Sequence, residues 1–545
     1  MIKNHPKGLP FLFLSEMWER FGYYLMIGIL TLYMIDTEKG GLGMSDSKAQ
    51  DIFGTFIALV FLTPYIGGLL ADRVLGLSKA ITIGGILMGV GYLIMFFKGE
   101  TALFIGMALV IVGNGFFKPN ISTLLGNIYN DPKYKDLKDS GYSIFYLGIN
   151  VGAFICNFFA AYLKNKWGWG YAFGGAGIGM FIGLIVFWAG MKHYKHADVI
   201  KPTKPGDMSV LRILSVTILP AIVAGFLGWN IPGNLLGSDS NDAFIFGAMP
   251  VVFYFIFIML KAPAEDRKPM SALMAIFAVS VIFWAIFKQN GTTLTLWAKR
   301  YTDRELPQQL QAPADSLYLL ESVTFKKSEQ ELTDHHFRKV KDADGQSVKG
   351  EDYPAYFKNY GENKPLPQEG DTVKLISTEI FQSVNPFFVV FLTPVVVWLF
   401  SFLRKRKKEP STASKMLIGV LFTALSAVVM IVAVYVSFNG SEKAIPAWLI
   451  ANYGIITLGE LCLSPMGLSL VSKLSPPRLT ALMMGGWFLS TSLGNKLSGI
   501  IATTWDGYED KSGFFWTNCI IGLSAAVILL FFLKWLNGII KEYNA

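Results

Sequence analysis

Charged side chains inside apolar stretches are the residues of this sequence whose types and positions could do chemistry. Seven ionisable residues interrupt segments long and apolar enough to cross a bilayer: Glu16, Glu19, Arg20, Lys118, Lys288, Glu460 and Lys496. A charge at membrane depth is costly, and by default it marks an ion pathway or a binding site. Four of these residues are cations and three are anions, so a bound carboxylate or a change of protonation would balance the sum. The pattern predicts a polar cavity that binds a charged solute near the middle of the membrane.

The first three of these charges form a cluster within one stretch, and a second cluster is expected in the other half of the chain, formed by Lys288, Glu460 and Lys496. Glu16 lies four residues before Arg20, so their side chains share one helix face and can pair. No histidine falls in any of the apolar segments, so a proton relay would depend on carboxylates. A carboxylate beside Arg20 and Lys118 could bind or release a proton as those partners move.

The apolar stretches that hold these charges predict an all-α integral membrane protein. Of the 545 residues, 52% are hydrophobic and 16% are charged, and the mean hydropathy is +0.43. Soluble domains average about 25% charged residues. Twelve principal spans of helical length are predicted near 9–34, 51–71, 79–97, 101–126, 141–163, 169–191, 270–298, 378–402, 415–438, 446–471, 479–503 and 513–536. Two further spans, 209–228 and 243–260, lie between the sixth and the seventh, so fourteen helices are expected.

The order of the spans and the placement of lysine and arginine predict the organisation of the chain. Residues 1–195 and 266–545 would each form a six-helix bundle, joined by a two-helix insertion at 196–265. With the N-terminus in the cytoplasm, the cytoplasmic side collects 25 Lys and Arg, and the short outer loops collect 7. This asymmetry places both termini in the cytoplasm. The polar segment 299–377 would then be an outer loop or small subdomain with few apolar clusters.

Several other functional classes are disfavoured by the sequence. The pI of about 9.1 is explained by the cytoplasmic lysines and arginines, so we expect no nucleic-acid partner. The three cysteines lie in apolar stretches without metal-ligand spacing, and the pair His335–His336 has no third ligand at a recognisable spacing. Walker and catalytic-triad motifs are absent from the sequence. We therefore expect neither an enzyme nor a bound metal or other cofactor.

Four motifs resemble those of one transporter family. The nine residues from Glu16 to Tyr24 are similar to the ExxERFxYY signature of the proton-dependent oligopeptide transporters in the major facilitator superfamily. Gly67–Gly76 resembles the superfamily loop between spans two and three, and Phe145–Phe154 and Gly459–Ser469 resemble two further family motifs. The resemblance covers nearly the whole chain except 299–377, and the extra helix pair is typical of bacterial members. It implies a major facilitator fold and a bacterial inner-membrane symporter that imports di- and tripeptides with protons as the coupling ion.

The resemblance also implies roles for individual residues. Proton coupling is implied for Glu16, Glu19, Arg20 and Lys118. Contact with the substrate is implied for Tyr23, Tyr24, Lys118, Asn150, Trp284, Asn385, Glu460, Trp487 and Thr491, with Glu460 receiving the amino terminus. Asp72 and Arg73 would act in the conformational change. Short peptides, protons and membrane lipid are the expected partners of a monomeric protein.

Three positions depart from the family pattern. Ile27 stands where many members have an arginine, Phe61 replaces a binding-site tyrosine, and Lys288 stands where an acid is usual. We predict that Lys288 joins Lys118 in binding the substrate carboxylate; the alternative is a structural ion pair with one of the buried glutamates. The departures also leave open a different small carboxylated or anionic cargo. A proton-coupled drug exporter and a non-transporting receptor are further alternatives.

Overall fold

The chain folds into long helices that pack side by side, with a small strand-containing segment at one end. The computed structural model describes residues 4–200, 214–343, 347–361, 364–476 and 480–543. The helices are α1 Leu9–Ile35, α2 Asp46–Leu70, α3 Leu77–Ile94, α4 Glu100–Ile128, α5 Lys138–Trp167, α6 Trp169–Gly190, α7 Leu219–Trp229, α8 Asp239–Lys261, α9 Ala264–Phe287, α10 Thr293–Arg300, α11 Gln308–Ser316, α12 Val384–Lys405, α13 Thr412–Val436, α14 Pro446–Leu474, α15 Thr480–Thr503 and α16 Lys511–Glu542.

The predicted spans correspond to observed helices, with ends that differ by a few residues. Within the described ranges, eleven helices are long and apolar enough to cross a membrane. The three remaining predicted spans fall on α1, which carries three charges, on the short apolar helix Ser215–Trp229, and on α15. The all-helical membrane architecture is confirmed, whereas the count of fourteen spans stays a prediction.

The predicted seventh span, 270–298, is not one continuous helix. Helix α9 ends at Phe287, residues Lys288–Gly291 form a turn of 3₁₀-helix, and α10 starts at Thr293. Gly291 packs against the Phe53 ring of α2, in space that a Cβ atom would fill. Lys288 is the C-cap residue of α9, where the partial negative charge of the helix end favours a cation.

Within each half, the long helices pack closely against one another. In the first half α3 packs along α4, and α1 packs along both α5 and α6. In the second half α13 packs along α14 and α16, and α9 packs along α15. Glycines permit the closest approaches: a Cβ at Gly84 of α3 would lie 2.6 Å from the Gly113 carbonyl oxygen of α4.

Four short strands lie at the end of the bundle where α1 ends and α2 begins, here called the sheet-bearing end. Strand β1 (Leu320–Thr324) pairs antiparallel with β4 (Thr372–Ile376), and β2 (Ser328–Glu331) pairs antiparallel with β3 (Lys349–Asp352). A hydrophobic cluster supports them, formed by Phe325, Tyr356, Phe357, Tyr360 and Leu375. Single aromatic residues that lie far apart in a polar sequence therefore meet in the fold and give this segment a small core of its own.

Candidate functional site

The two glutamates and the arginine of α1 form one buried cluster. The guanidinium of Arg20 donates from Nε and from Nη2 to the Glu19 carboxylate, and its Nε lies 3.6 Å from Oε1 of Glu16. Arg20 Nη2 also donates to Oδ1 of Asn114 at 3.1 Å, and the Asn114 amide donates to the Val60 carbonyl at 2.9 Å. The predicted pairing of Glu16 with Arg20 is confirmed. Asn114, which the sequence reading did not single out, fixes the guanidinium from α4.

Glu16 and Glu19 differ in how their carboxylate oxygens are satisfied. Both side chains are buried, and Glu19 is held through both of its oxygens by Arg20. The second oxygen of Glu16, Oε2, is buried and has no hydrogen-bond partner among the described residues. Because buried polar atoms are normally paired, this oxygen is the place in the cluster that can hold a proton.

Two lysines from opposite halves of the chain converge on one aromatic ring. Nζ of Lys118 on α4 lies 4.4 Å from the centroid of the Phe61 ring on α2, and Nζ of Lys288 lies 5.5 Å from the same centroid. Among the described residues, no carboxylate oxygen lies within 4 Å of either ammonium. The structural alternative of a direct ion pair for Lys288 is not observed. The two cations make cation–π contacts with the Phe61 ring, and in the described part of the chain neither is paired directly with a carboxylate.

Glu460 on α14 is a buried acid without a cationic partner at contact distance. Asn385 on α12 donates from Nδ2 to Oε2 of Glu460 at 3.3 Å and to Oγ1 of Thr457 at 2.8 Å. In the described part of the chain no Lys or Arg nitrogen lies within 4 Å of its carboxylate. Lys288 and Tyr24 lie within electrostatic range. The site therefore places two cations and one anion near one another without pairing them.

The aromatic residues implied as substrate contacts lie near these charges in different ways. Arg20 lies over the Tyr23 ring at 4.8 Å, and the Tyr23 and Tyr24 ring centroids are 5.4 Å apart. Trp284 is buried beside Lys288, and its Nε1 has no hydrogen-bond partner among the described residues. Trp487 is buried against Phe277. Trp284 therefore has a free donor beside Lys288, and the role of Trp487 as a wall of the pocket stays a prediction.

Two of the implied substrate contacts use their polar groups within their own helices. The Asn150 amide donates to the Tyr146 carbonyl at 2.9 Å, and the Thr491 hydroxyl donates to the Trp487 carbonyl at 3.1 Å. Both side chains are buried. In this arrangement neither donor is directed at the unpaired charges, and a role in binding would require a change of rotamer.

Lys496 does not belong to the cluster formed by Lys288 and Glu460, which corrects the sequence reading. Its Nζ donates to Oδ1 of Asp51 at 2.8 Å, to Oγ1 of Thr55 at 2.5 Å and to Oγ of Ser240 at 3.1 Å. Asp51 is the first residue of the second predicted span and was not counted among the interior charges. With Asp51 included, four cations meet four anions, and the predicted excess of positive charge disappears.

Asp72 and Arg73 lie away from these charges, beyond the end of α2. They belong to a short π-helical turn, Ala71–Leu75, which Gly76 ends with a φ of +82°. The next helix, α3, is capped by Asp198, whose Oδ1 accepts the Leu77 N–H at 2.7 Å. The turn therefore joins α2 to α3, and its role in the conformational change stays a prediction.

Polar contacts join the two halves at the sheet-bearing end, and the sequence reading missed them. The Arg300 guanidinium forms a two-point ion pair with the Asp46 carboxylate, and Lys164 pairs with Glu379 at 2.8 Å. The Thr31 hydroxyl donates to the Gly291 carbonyl at 2.7 Å. These residues come from the ends of helices and the turns that follow them, where charges are ordinary. Their sequence positions alone give no signal of pairing.

Comparison with protein-family models matches residues 78–325 and 371–516 to the POT family (PTR2). A peptide transporter of Yersinia enterocolitica, YePEPT, is 31% identical over 519 residues, covering 91% of this chain and 88% of the relative. A di-/tripeptide transporter of Lactococcus lactis is 29% identical over 540 residues, covering 97% of this chain and 95% of the relative.

Solved structures show the same relationship. The crystal structure of a peptide transporter in complex with sulfate superposes with a TM-score of 0.75 at 31% identity, over 99% of this chain and 96% of that one. A mutant peptide transporter in complex with alafosfalin superposes with a TM-score of 0.74 at 32% identity. The major facilitator fold expected from the motifs is confirmed, and the chain belongs to the POT family, a family of membrane transporters rather than enzymes.

Proposed function

We propose that this protein is a symporter that imports di- and tripeptides together with protons by alternating access. The observation that carries the proposal is the unpaired set of charges formed by Lys118, Lys288 and Glu460. A short peptide is a zwitterion and offers one carboxylate and one ammonium to such a set. Two relatives, named as a peptide transporter and a di-/tripeptide transporter, support the same class of substrate.

The peptide would bridge the two halves of the transporter. Its carboxylate would bind between Lys118 of the first half and Lys288 of the second, and its amino terminus would bind Glu460, which Asn385 orients. Substrate binding then favours the closed conformation because each half holds part of the ligand. Tyr23, Tyr24 and Asn150 would contact the peptide from the first half. The wall of the side-chain pocket would be formed by Trp284, Trp487 and Thr491.

Proton coupling would take place at the cluster on α1. The free Oε2 of Glu16 supplies a position for the proton, and the ion pair of Glu19 with Arg20 holds the cluster in place. Glu16 lies within electrostatic range of Lys118. A proton on Glu16 would therefore strengthen the field that Lys118 presents to an arriving carboxylate.

The membrane placement follows from the positive-inside rule. Both termini would lie in the cytoplasm of a bacterial inner membrane, and the sheet-bearing end would face outward. The contacts between the halves at that end would make the observed conformation closed to the outside. Two bundles, 1–195 and 266–545, would move against each other around the insertion 196–265, in a protein that works as a monomer.

A second candidate keeps the transporter family but changes the cargo to another small carboxylated or anionic metabolite. Phe61, Ile27 and Lys288 favour it, because they remove the arginine–acid pair usual in the family and leave two lysines around one ring. Such a cargo would carry a carboxylate for the lysines but would not need an ammonium for Glu460.

One uptake experiment separates these candidates. Purified protein is reconstituted into liposomes, and accumulation of labelled dialanine is measured under an inward proton gradient and again with a protonophore. We expect accumulation that the protonophore abolishes and that unlabelled tripeptide competes away. Failure of dialanine to accumulate, with uptake of an anion such as succinate, would support the second candidate. Net export of dyes, driven by a proton gradient in the opposite direction, would instead identify a drug exporter. Binding of dialanine without any uptake would identify a receptor.

A further inference from the structure

A charged cavity of about 420 Å³ lies at the sheet-bearing end, apart from the site on α1. It is lined by the end of α1 and the turn that follows, by the end of α10, and by residues of the segment 326–370. Asp36 in its lining is sixteen residues beyond Arg20 on the same helix, roughly 24 Å along the axis at 1.5 Å per residue. The cavity is therefore distant from the charges around Phe61.

One wall of the cavity is a segment that the family model does not match. The match stops at residue 325 and resumes at 371. The two ends of the segment meet, because the Phe325 N–H donates to the Asp371 carbonyl and the Gly370 N–H donates to the Phe325 carbonyl, both at 2.8 Å. Residues 326–370 are thus an insertion at the tip of the hairpin that β1 and β4 form.

The insertion is fixed to both halves of the transporter. Lys339 donates to the Gly43 carbonyl at 3.3 Å on the first half, and Asn359 donates to the Gly440 carbonyl at 2.9 Å on the second. Phe337 is 3% exposed and packs edge-on against Tyr301. These contacts seat the insertion over the cavity in one position.

The lining carries more positive than negative charge. Nine lysines and arginines face six aspartates and glutamates. Most of these cations have a resident carboxylate: Lys39, Lys164, Arg300, Arg304, Arg338, Lys339 and Lys358 each form an ion pair. Three of the paired carboxylates, on Glu379, Asp334 and Asp352, lie just outside the lining and balance its three surplus cations. The capacity to bind an anion therefore rests with individual groups that lack a partner among the described residues.

Two cationic groups of the lining, one half-buried and one buried, have unused capacity. Among the described residues, no carboxylate oxygen lies within 4 Å of Nζ of Lys299. Arg304 is 3% exposed; its Nη1 donates to Glu321 and to the Ile376 carbonyl, but its Nε has no partner in the described part of the chain.

The acids of the lining have little capacity left to pair with these cations. Asp36 already accepts N–H groups of Lys39, Gly41 and Trp169. Glu38 is exposed to solvent. Burial, together with the nearby Asp46, raises the pKa of Asp506 to about 6. Within the described ranges, the acids therefore leave Lys299 without a paired carboxylate and the Nε of Arg304 without an acceptor.

We propose that this cavity binds a small carboxylate-bearing molecule. Lys299 and the Nε of Arg304 receive the carboxylate, and the rings of Trp169, Phe337 and Tyr356 contact the rest of the molecule. The volume lies in the range of small-molecule sites, which admits a dipeptide as well as a simple carboxylate. This proposal does not depend on which solute the protein binds at Lys118, Lys288 and Glu460.

The test uses the full chain with the central charges removed. In the variant Lys118→Gln/Lys288→Gln/Glu460→Gln, which removes the three groups proposed to bind the peptide, saturation-transfer NMR measures binding of dialanine, acetate and dialanine amide to detergent-solubilised protein. We expect a carboxylate probe to bind, the amide to bind about tenfold more weakly or not at all, and Lys299→Gln to lower the affinity about tenfold or more. Lys299→Arg should restore binding, which separates a charge effect from misfolding. Dialanine that binds more tightly than acetate identifies a peptide ligand, and equal binding identifies a free carboxylate.

Deleting the insertion gives a second, independent readout. Because residues 325 and 371 are hydrogen-bonded neighbours, Asn-Gly can replace 326–370 as a two-residue hairpin turn. We expect the deletion to abolish carboxylate binding, and the exposed lysine variant Lys48→Gln, outside the cavity, to leave it unchanged. The proposal is overturned if neither carboxylate binds, if the amide binds as well as dialanine, or if Lys299→Gln and the deletion leave binding unaltered. Dialanine uptake by the wild-type protein decides the proposed function separately.

Discussion

Replacing Lys288 by alanine should weaken the binding of dialanine about thirtyfold and change that of dialanine amide less than about threefold. The reason is the arrangement around Phe61. Nζ of Lys118 and Nζ of Lys288 lie 4.4 and 5.5 Å from the ring centroid. The two ammonium groups are therefore separated by about 9.9 Å at most, and a carboxylate between them can lie about 5 Å from each.

The expected magnitude follows from Coulomb's law. At an effective dielectric constant of about 20, two unit charges about 5 Å apart attract by about 3 kcal/mol. The hydration that the Lys288 ammonium loses when the carboxylate arrives reduces this to about 2 kcal/mol, which corresponds to roughly thirtyfold in affinity. The repulsion between Lys118 and Lys288 is present with and without ligand, so it does not alter the difference.

The assay is isothermal titration of the purified variant with dialanine and with its C-terminal amide. Lys288→Arg keeps the charge and should retain most of the affinity. Lys473→Ala is the matched control, because Lys473 is an exposed lysine in the last turn of α14. Thermal unfolding without ligand reports whether Lys288→Ala is folded. Equal weakening of the two ligands, or loss of folded protein without ligand, would show that Lys288 is structural and would refute the two-lysine site.

Four further changes test the remaining charges. Glu19→Gln should abolish proton-driven accumulation of dialanine while some counterflow exchange persists, and continued accumulation would exclude this cluster from coupling. Glu16→Gln should make dialanine affinity nearly independent of pH, as measured by titrations from pH 5 to 8. Glu460→Gln should weaken free-amine peptides about thirtyfold or more, and unchanged affinity would remove its role. Lys496→Met should lower unfolding stability by about 3–5 kcal/mol, and adding Asp51→Asn should recover part of that loss; additive losses would mean that the two residues are not coupled.

Sequence periodicity and intramembrane charge predicted the helices and the charged residues of the candidate site, because both signals are local, whereas its aromatic and amide residues were implied by the family resemblance. The contacts that complete the site are long-range. Phe61 lies on α2, Lys118 on α4 and Lys288 after α9, and no spacing along the chain shows that they converge. Asp51 was overlooked because an acid at the first residue of a predicted span is normally solvated, whereas here it pairs with a lysine in the other half.

The break after α9 had a local signal that was not used. Asn290-Gly291 is a sequence typical of a turn, and it falls within the predicted span 270–298. The high hydropathy of the whole stretch nevertheless predicted one continuous helix. The consequence is functional, because the break places Lys288 at a helix end near Phe61 rather than on the side of a continuous helix.

The balance of charge within the site gives a physical basis for coupling a proton to a peptide. The pair of Lys496 with Asp51 is closed on itself, which leaves three cations, Arg20, Lys118 and Lys288, against the glutamates Glu16, Glu19 and Glu460. With all six ionised the site is neutral, and the negative charges of the glutamates partly stabilise its two lysines. In the proposed mechanism a proton on Glu16 makes the site positive by one charge. Arg20 keeps its pair with Glu19, so Lys118 is the cation left with less opposing negative charge. The substrate carboxylate then replaces the lost negative charge at the lysines. Proton and peptide therefore stabilise each other's binding, and since such coupling is reciprocal, release of the peptide in turn favours release of the proton.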